Sequence, residues 1–92
     1  MKGGLQMQFD GALVKEQGVC FAIAVVKPHV LNSTNKETVR NGFRQYFGQV
    51  PVILMAQNSR GTPIYDGRRD IVNFLAGIHP SRIPWKRYTI SQ

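Results

Sequence analysis

The sequence lacks several features that usually reveal a compartment. It has one cysteine, which excludes an internal disulfide, and because small chains from oxidising compartments often have several, a cytoplasmic location is favoured. No apolar run approaches the ~20 residues needed to span a bilayer. The segment after Met1 and Lys2 has no continuous apolar stretch of the kind found in signal peptides. We therefore expect a soluble, cytoplasmic protein without a membrane partner.

Motifs for cofactors and catalysis are also missing. The chain contains no CxxC, no GxGxxG and no GxxxxGK[ST], the motifs of redox centres, dinucleotide sites and phosphate loops. His29 and His79 have no carboxylate within a few residues and no cysteine partners at a zinc-binding spacing. Cys20 lies in an apolar run and is predicted to be an inert core residue. We predict no catalytic residue, no metal and no cofactor, and a binding role rather than an enzymatic one.

Acidic residues are few. Residues 1–59 carry six basic and three acidic groups (+3), and residues 60–92 carry six basic and two acidic groups (+4), which together give the formal net charge of +7. Neither end is therefore a separate basic arm. A surplus of this size suits nucleic acid or another polyanion as a partner, and it is also ordinary for a soluble small domain.

Length and composition predict a folded chain. With 92 residues, 42% of them hydrophobic and 18% charged, the sequence lies outside the composition that leaves chains disordered. A chain of this length has room for one core. We expect residues 1–92 to form a single domain.

Hydrophobic periodicity predicts a sheet. Leu5, Met7 and Phe9 alternate with polar residues, as in a strand with one buried face, and the apolar runs 19–26 and 51–57 are typical of strands covered on both faces. Residues 11–17 fit either a hairpin, which we favour, or a short helix. Residues 62–65 predict an edge strand, because Pro63 cannot donate to a ladder.

Two amphipathic helices are predicted. The first begins at a capping box formed by Thr34 and Glu37, ends at Gly48, and carries a stripe made of Val39, Phe43, Tyr46 and Phe47. The second opens at residue 66 or 67, ends before Pro80, and carries Ile71, Phe74, Leu75 and Ile78.

This order of elements predicts an α+β fold. We expect a two-layer ββαββα sandwich, with a further short strand in the tail, in which both helices pack on one face of a mixed four- or five-stranded sheet.

Residues 49–78 resemble part of another fold. Their order of strand, hairpin, strand and helix is similar to the part of thioredoxin-like domains that follows the redox motif, and Val50-Pro51 resembles the proline that enters a strand there. The resemblance implies an alternative fold, βαβαββα, and a thioredoxin-like protein that lacks the CxxC motif.

The candidate binding residues are cations and aromatics. On the first helix, Lys36, Arg40 and Arg44 are spaced at i, i+4 and i+8, and a line of cations can follow the phosphates of nucleic acid. In the tail, cations alternate with aromatic rings on which single-stranded bases can stack: Arg82, Trp85, Lys86, Arg87 and Tyr88. Trp85 can instead seal the end of the core, and the sequence leaves both roles open.

Three functions follow from these patterns. The first is non-specific binding of RNA or single-stranded DNA, which requires that the two sets of cations share one side of the molecule. The second is a protein-interaction module or homodimer, suggested by the segments TPIY and IPWKRY because Trp, Tyr and Arg anchor interfaces. The third is an enzyme, either thioredoxin-like or a phosphodiesterase that uses His29 or His79.

Overall fold

Five strands form one mixed sheet in the computed structural model, which describes residues 6–16 and 18–91. The spatial order is β4-β3-β2-β1-β5; β2 and β3 are parallel and the other neighbours are antiparallel. The strands are β1 Gln6–Glu16, β2 Val19–Val25, β3 Val52–Gln57, β4 Pro63–Asp66 and β5 Lys86–Ser91. The predicted α+β class, the strand and helix order and the edge position of Pro63 are confirmed.

The chain opens with a hairpin. β1 runs through Gly11 to Glu16, which pairs with Val19 of β2, and Gly18 takes the positive φ of 80° that the tight turn requires. The hairpin prediction is confirmed for residues 11–16, whereas Gln17 lies outside the described residues. The alternative order βαβαββα is not observed, because residues 11–16 continue strand β1 where that order would have a helix.

Three helices connect the strands, namely α1 Pro28–Leu31, α2 Lys36–Phe47 and α3 Arg69–Ala76, followed by a single 3₁₀ turn at Pro80–Arg82. α2 ends as predicted at Gly48, whose φ is 82°. The predicted capping box is wrong: α2 begins after Asn35 and has no side-chain cap. A turn precedes the helix, and in it the Ser33 hydroxyl accepts a hydrogen bond from the Asn35 amide at 2.9 Å.

The helices lie on opposite faces of the sheet. Ile23 and Ile53 pack with Ile71 and Leu75 on what we call the α3 face. The alternate residues of β2 and β3 point to the other side, the α2 face, where the apolar residues of α2 cover them: Ala22, Ala24, Val52 and Leu54 below, with Val39, Phe43 and Phe47 above. The predicted packing of both helices on one face is therefore wrong. β2 and β3 are apolar on both sides, so each face needs its own cover.

Several residues predicted to be covered lie at the surface, among them Phe74 of α3, which is 37% exposed, and Val19 of β2, which is 38% exposed. Tyr46 of α2 is 48% exposed, because Val39, Phe43 and Phe47 alone provide the stripe that contacts the sheet. Cys20 is also exposed, which corrects the prediction of a core thiol. The pairing of β2 with β3 begins at Ala22, which lies opposite Val52. Cys20 precedes this point, in the part of the β1–β2 hairpin that extends beyond β3, and so it lies outside the covered part of the sheet.

Within the described residues, no helix combines the length and the apolar content needed to cross a membrane. The longest, α2, has 12 residues and a charged outer side.

Candidate functional site

Two of the three candidate cations on α2 bind a carboxylate of the edge strand β4. The Nζ atom of Lys36 lies 2.8 Å from Oδ2 of Asp66, and the guanidinium of Arg40 contacts Asp66 and Glu37. Arg40 also donates to the carbonyls of Val52, at 3.1 Å, and Asp66, at 3.0 Å, and its side chain is only 13% exposed. Arg40 therefore fastens α2 to β3 and β4.

The pKa values of this cluster agree with the geometry. Burial alone would raise the pKa of Asp66, but hydrogen bonds and charge from Lys36 and Arg40 outweigh burial and lower it. Burial alone would lower the pKa of Arg40, and its contacts with Glu37 and Asp66 raise it instead. In this cluster the fold therefore favours the charged forms of Asp66 and Arg40.

Arg44 differs from these two cations. It is exposed and borders a shallow depression at the C-terminal end of α2, together with Gln45, Gly48 and Gln49. The structure therefore does not present Lys36, Arg40 and Arg44 as one exposed line.

In the tail, Trp85 closes part of the core. Its indole N–H donates to the carbonyl of Pro80 at 2.9 Å, and the ring packs against the apolar cluster on the α3 face, where Ile83 is buried. Of the two roles left open for Trp85, the structure favours the seal, because both the ring and its N–H have partners inside the molecule.

The remaining tail residues lie on or near β5. Arg87 is 62% exposed and its Nε lies 2.8 Å from Oδ1 of Asp10. Tyr88 stacks on Phe9 with ring centroids 5.2 Å apart, and Lys86 Nζ lies 5.7 Å from the centroid of the Tyr88 ring. Arg82 is exposed in the 3₁₀ turn before β5.

The two candidate sets do not share one surface. Lys36 and Arg40 are fastened to β4, whereas Lys86 and Arg87 belong to β5, and these strands form opposite edges of the five-stranded sheet. Trp85 packs on the α3 face while α2 covers the other face. The predicted juxtaposition is therefore wrong for Lys36 and Arg40, whereas the C-terminal end of α2 does meet β5, where the ring centroids of Phe47 and Tyr88 are 5.2 Å apart.

Neither histidine has a carboxylate within 4 Å in the part of the chain that the structure describes. His29 lies exposed in α1, and His79 precedes the 3₁₀ turn, where its Nδ1 lies 3.1 Å from the amide N and 2.8 Å from the hydroxyl of Ser81. Among the described residues, no three His, Cys, Asp or Glu side chains come together as a metal site would require.

An open groove of about 590 Å³ lies where β1 and β2 separate. β1 pairs with β2 only from Gly11 onward, because the chain after β2 turns toward β3, where the Val26 amide donates to the Met55 carbonyl at 2.8 Å. We call this the strand-end groove. It is lined by Gln8, Phe9, Asp10, Val25, Val26, Lys27, Val30, Phe43 and Arg87.

The strand-end groove combines an apolar floor with a charged rim. Phe9, Val30 and Phe43 are half-buried, and the rings of Phe9 and Phe43 meet edge to face at 4.8 Å. On the rim, Lys27 and Arg87 are both exposed. Asp10 pairs with Arg87, but Lys27 has no carboxylate within 4 Å in the described part of the chain.

Sequence reasoning identified Arg87 but missed Lys27, Phe9 and the groove itself. Lys27 was visible only as the residue that ends an apolar run, and Phe9 as one member of an alternating strand. Their proximity depends on where β1 and β2 separate, which neither segment encodes by itself.

Comparisons with known proteins identify no relative: no family model, no curated protein and no solved structure matches the chain.

Proposed function

We propose that this protein binds single-stranded nucleic acid at the strand-end groove without strong sequence preference. The observation that carries the proposal is the pairing of two exposed cations, Lys27 and Arg87, with an apolar, aromatic floor in one groove. A base packs against the floor and the adjacent phosphates meet the cations. Single-strand binding combines these two elements, because every base has an apolar face and every nucleotide a charge.

The balance of unpaired charge supports a polyanionic ligand. Four of the five Asp and Glu carboxylates form ion pairs, and the fifth, Glu16, has no cation within 4 Å among the described residues. In the described residues, seven exposed cations have no such pair, namely Lys15, Lys27, Arg44, Arg60, Arg69, Arg82 and Lys86. The positive charge is therefore not cancelled locally and attracts polyanions over a distance of about a Debye length.

Lys86 and Arg44 are candidates for contacts along the strand outside the groove. Lys86 belongs to the same edge strand as Arg87, and Arg44 follows Phe43, which lines the groove. Lys36 and Arg40 are not included, because they bind Asp66 with side chains that are only 29% and 13% exposed, whereas Arg87 is 62% exposed although it also pairs with Asp10.

The test is a titration of labelled single-stranded RNA, followed by fluorescence anisotropy at several salt concentrations. We expect log affinity to fall linearly with log salt, with a slope of about 0.7 for each phosphate neutralised. Replacing both groove cations, as Lys27→Gln with Arg87→Gln, is expected to weaken binding by about ten-fold or more at low salt and to reduce the slope by about 1 to 1.5.

A matched control is available at the other end of the sheet. Arg68→Gln with Arg69→Gln removes the same charge from one paired and one unpaired arginine. These two arginines follow Gly67, which packs on Ile53 near the start of β3. The groove lies past the end of β2, which runs parallel to β3, so the two sites are at opposite ends of these strands. We expect this control to retain most of the affinity. Equal losses in both double variants, or affinity independent of salt, would contradict the proposal.

A further inference from the structure

β1 extends past its neighbour on one side. β5 pairs with residues Gln6 to Gly11, and residues 12–16 pair with β2 alone. We call residues 12–16 the open edge of β1. In the described part of the chain, no strand pairs with it on the side away from β2.

The pairing pattern shows which main-chain groups of this edge are free. The amides of Ala22 and Val26 donate to carbonyls of β3 at 2.9 and 2.8 Å, so the even-numbered residues of β2 face β3. Its odd-numbered residues face β1, where their partners are Ala12, Val14 and Glu16. Alternate residues point in opposite directions within a strand, so the N–H and C=O groups of Leu13 and Lys15 point outward.

The tail leaves this edge open for a chemical reason. Gly11 pairs with Lys86, so a longer β5 would place Pro84 opposite Leu13. Proline has no N–H to donate to the ladder. Instead the chain turns, as the Trp85 amide donates to the Ile83 carbonyl at 2.8 Å, and the Trp85 indole fastens the turn to Pro80.

A pocket of about 150 Å³ lies beside the open edge on the α3 face. Its wall opposite β1 is mostly apolar and is lined by Phe74, Leu75, Ile78 and Ile83. Arg82 lies at this pocket, and Lys15 lies on the edge itself. Neither cation has a carboxylate within 4 Å among the described residues, and Glu16 is the one acid that lines the pocket.

We propose that the open edge of β1 binds an extended acidic segment of a partner protein by strand addition. The segment hydrogen-bonds to the main chain of Leu13 and Lys15, places an aliphatic side chain in the pocket on the α3 face, and directs carboxylates toward Lys15 on the opposite face, while Arg82 adds positive charge beside the pocket. Strand addition satisfies the exposed backbone groups, and the alternating side chains provide selectivity. Leu13, which is 53% exposed, becomes covered.

Charge and geometry favour such a segment over a second copy of this chain. Two cations and one acid border the edge, which complements an acidic ligand. If two copies paired antiparallel through their open edges, with Val14 opposite Val14, the β1–β2 turn of one copy would lie opposite Gly11 of the other. Lys86 of β5 already pairs with Gly11, so the two would compete for the same position.

The probe is a short capped peptide of alternating valine and glutamate, with a control peptide in which every glutamate is N-methylated. In the bound strand, the glutamates lie opposite Leu13 and Lys15. N-methylation removes the glutamate N–H groups that would donate to the carbonyls of Leu13 and Lys15. We expect the first peptide to bind with a Kd of about 1 mM or tighter and the second to bind much more weakly.

Hydrogen exchange by NMR locates the binding. At saturating peptide, the amides of Leu13 and Lys15 are expected to exchange about ten-fold or more slowly, while the already paired amide of Phe21 changes little. Lys15→Gln should weaken the peptide about two- to five-fold and retain most of the RNA affinity, since Lys15 lies outside the groove, and Lys27→Gln should weaken RNA binding more than peptide binding.

Four outcomes would overturn the proposal. These are no peptide binding near 1 mM, binding that does not protect the two amides, equal binding of the methylated peptide, and protection in the free protein accompanied by a dimer in sedimentation. Because the RNA test uses other residues, failure of one proposal is distinguishable from failure of the other.

Discussion

Asp66 connects more of this fold than any other single carboxylate in the described residues. It lies at the end of an edge strand and contacts two cations of α2, Lys36 and Arg40. Arg40 in turn reaches the β3 carbonyl of Val52, so three elements meet at one side chain. Because an Arg side chain that is 13% exposed depends on its partners, this carboxylate should matter for stability.

Asp66→Asn tests this role. The amide keeps the shape but removes the charge that faces Arg40, and we expect the free energy of unfolding to fall by about 1 to 3 kcal/mol. Urea denaturation at neutral pH measures the change. Asp70→Asn is the control, since the Arg68–Asp70 pair is exposed on both sides and contributes little. Similar losses in both variants would show that Asp66 has no special role.

The sequence predicted apolar residues better than charged ones. Phe43, Ile71 and Leu75 pack where their helical spacing places them, because apolar periodicity reflects which side of a helix is covered. Lys36 and Arg40 were predicted to belong to a line of cations along the exposed side of the first helix, where they could contact phosphates. Their partner Asp66 is 26 or more residues away in sequence, and a helix pattern carries no information about it.

α2 contains a glycine that its position does not require. Gly42 lies in the middle of the helix, and a Cβ built there meets no heavy atom within 4 Å. Alanine restricts the unfolded chain and favours helix, so Gly42→Ala should raise the free energy of unfolding by about 0.5 to 1 kcal/mol. Thermal unfolding followed by circular dichroism measures the shift.

The matched glycine lies between β4 and α3. A Cβ at Gly67 would collide with the Ile53 side chain and lie 3.3 Å from the Ile53 Cα. Gly67→Ala should therefore destabilise the fold by about 1 to 3 kcal/mol through overpacking. The prediction for α2 fails if both substitutions shift stability in the same direction.

The strands that are apolar on both sides determined how the elements assemble. The runs that contain β2 and β3 were predicted to be covered strands, and they lie in the interior of the sheet with helices on both faces. The two-sided pattern already required cover on each face. Assigning both helices to one face neglected that requirement.

On the scale of the whole molecule, excess positive charge shapes the response to acid. The pKa of Asp66 is lowered by its cations, and the Arg68 hydrogen bond lowers the pKa of Asp70 to about 2. Such a carboxyl has a lower pKa in the folded state than its value of about 3.9 in the unfolded state. Its full contribution to stability is present when the pH is above about 3.9. This contribution is lost as the pH falls through the folded pKa.

We therefore expect stability to fall between about pH 4 and pH 2, as paired carboxylates become protonated and the net charge of +7 rises further. Urea midpoints measured from pH 7 to pH 2 test this. The variant Asp66→Asn should begin less stable and lose less on acidification, while Asp70→Asn should follow the original protein closely. An Asp66→Asn variant with the same pH slope as the original protein would contradict the assignment.

The sequence by itself determined the class of fold, the order of elements and the sign of the charge. Those properties follow from local periodicity, turn residues and composition, which act over a few residues at a time. Only the tertiary structure decided which cations remain free, that β1 and β2 separate into a groove containing Lys27 and Phe9, and that Leu13 and Lys15 keep open main-chain groups. Each of these depends on strand register and on partners distant in sequence. An ion pair or a strand ladder forms between two segments of the chain, so neither segment alone determines it.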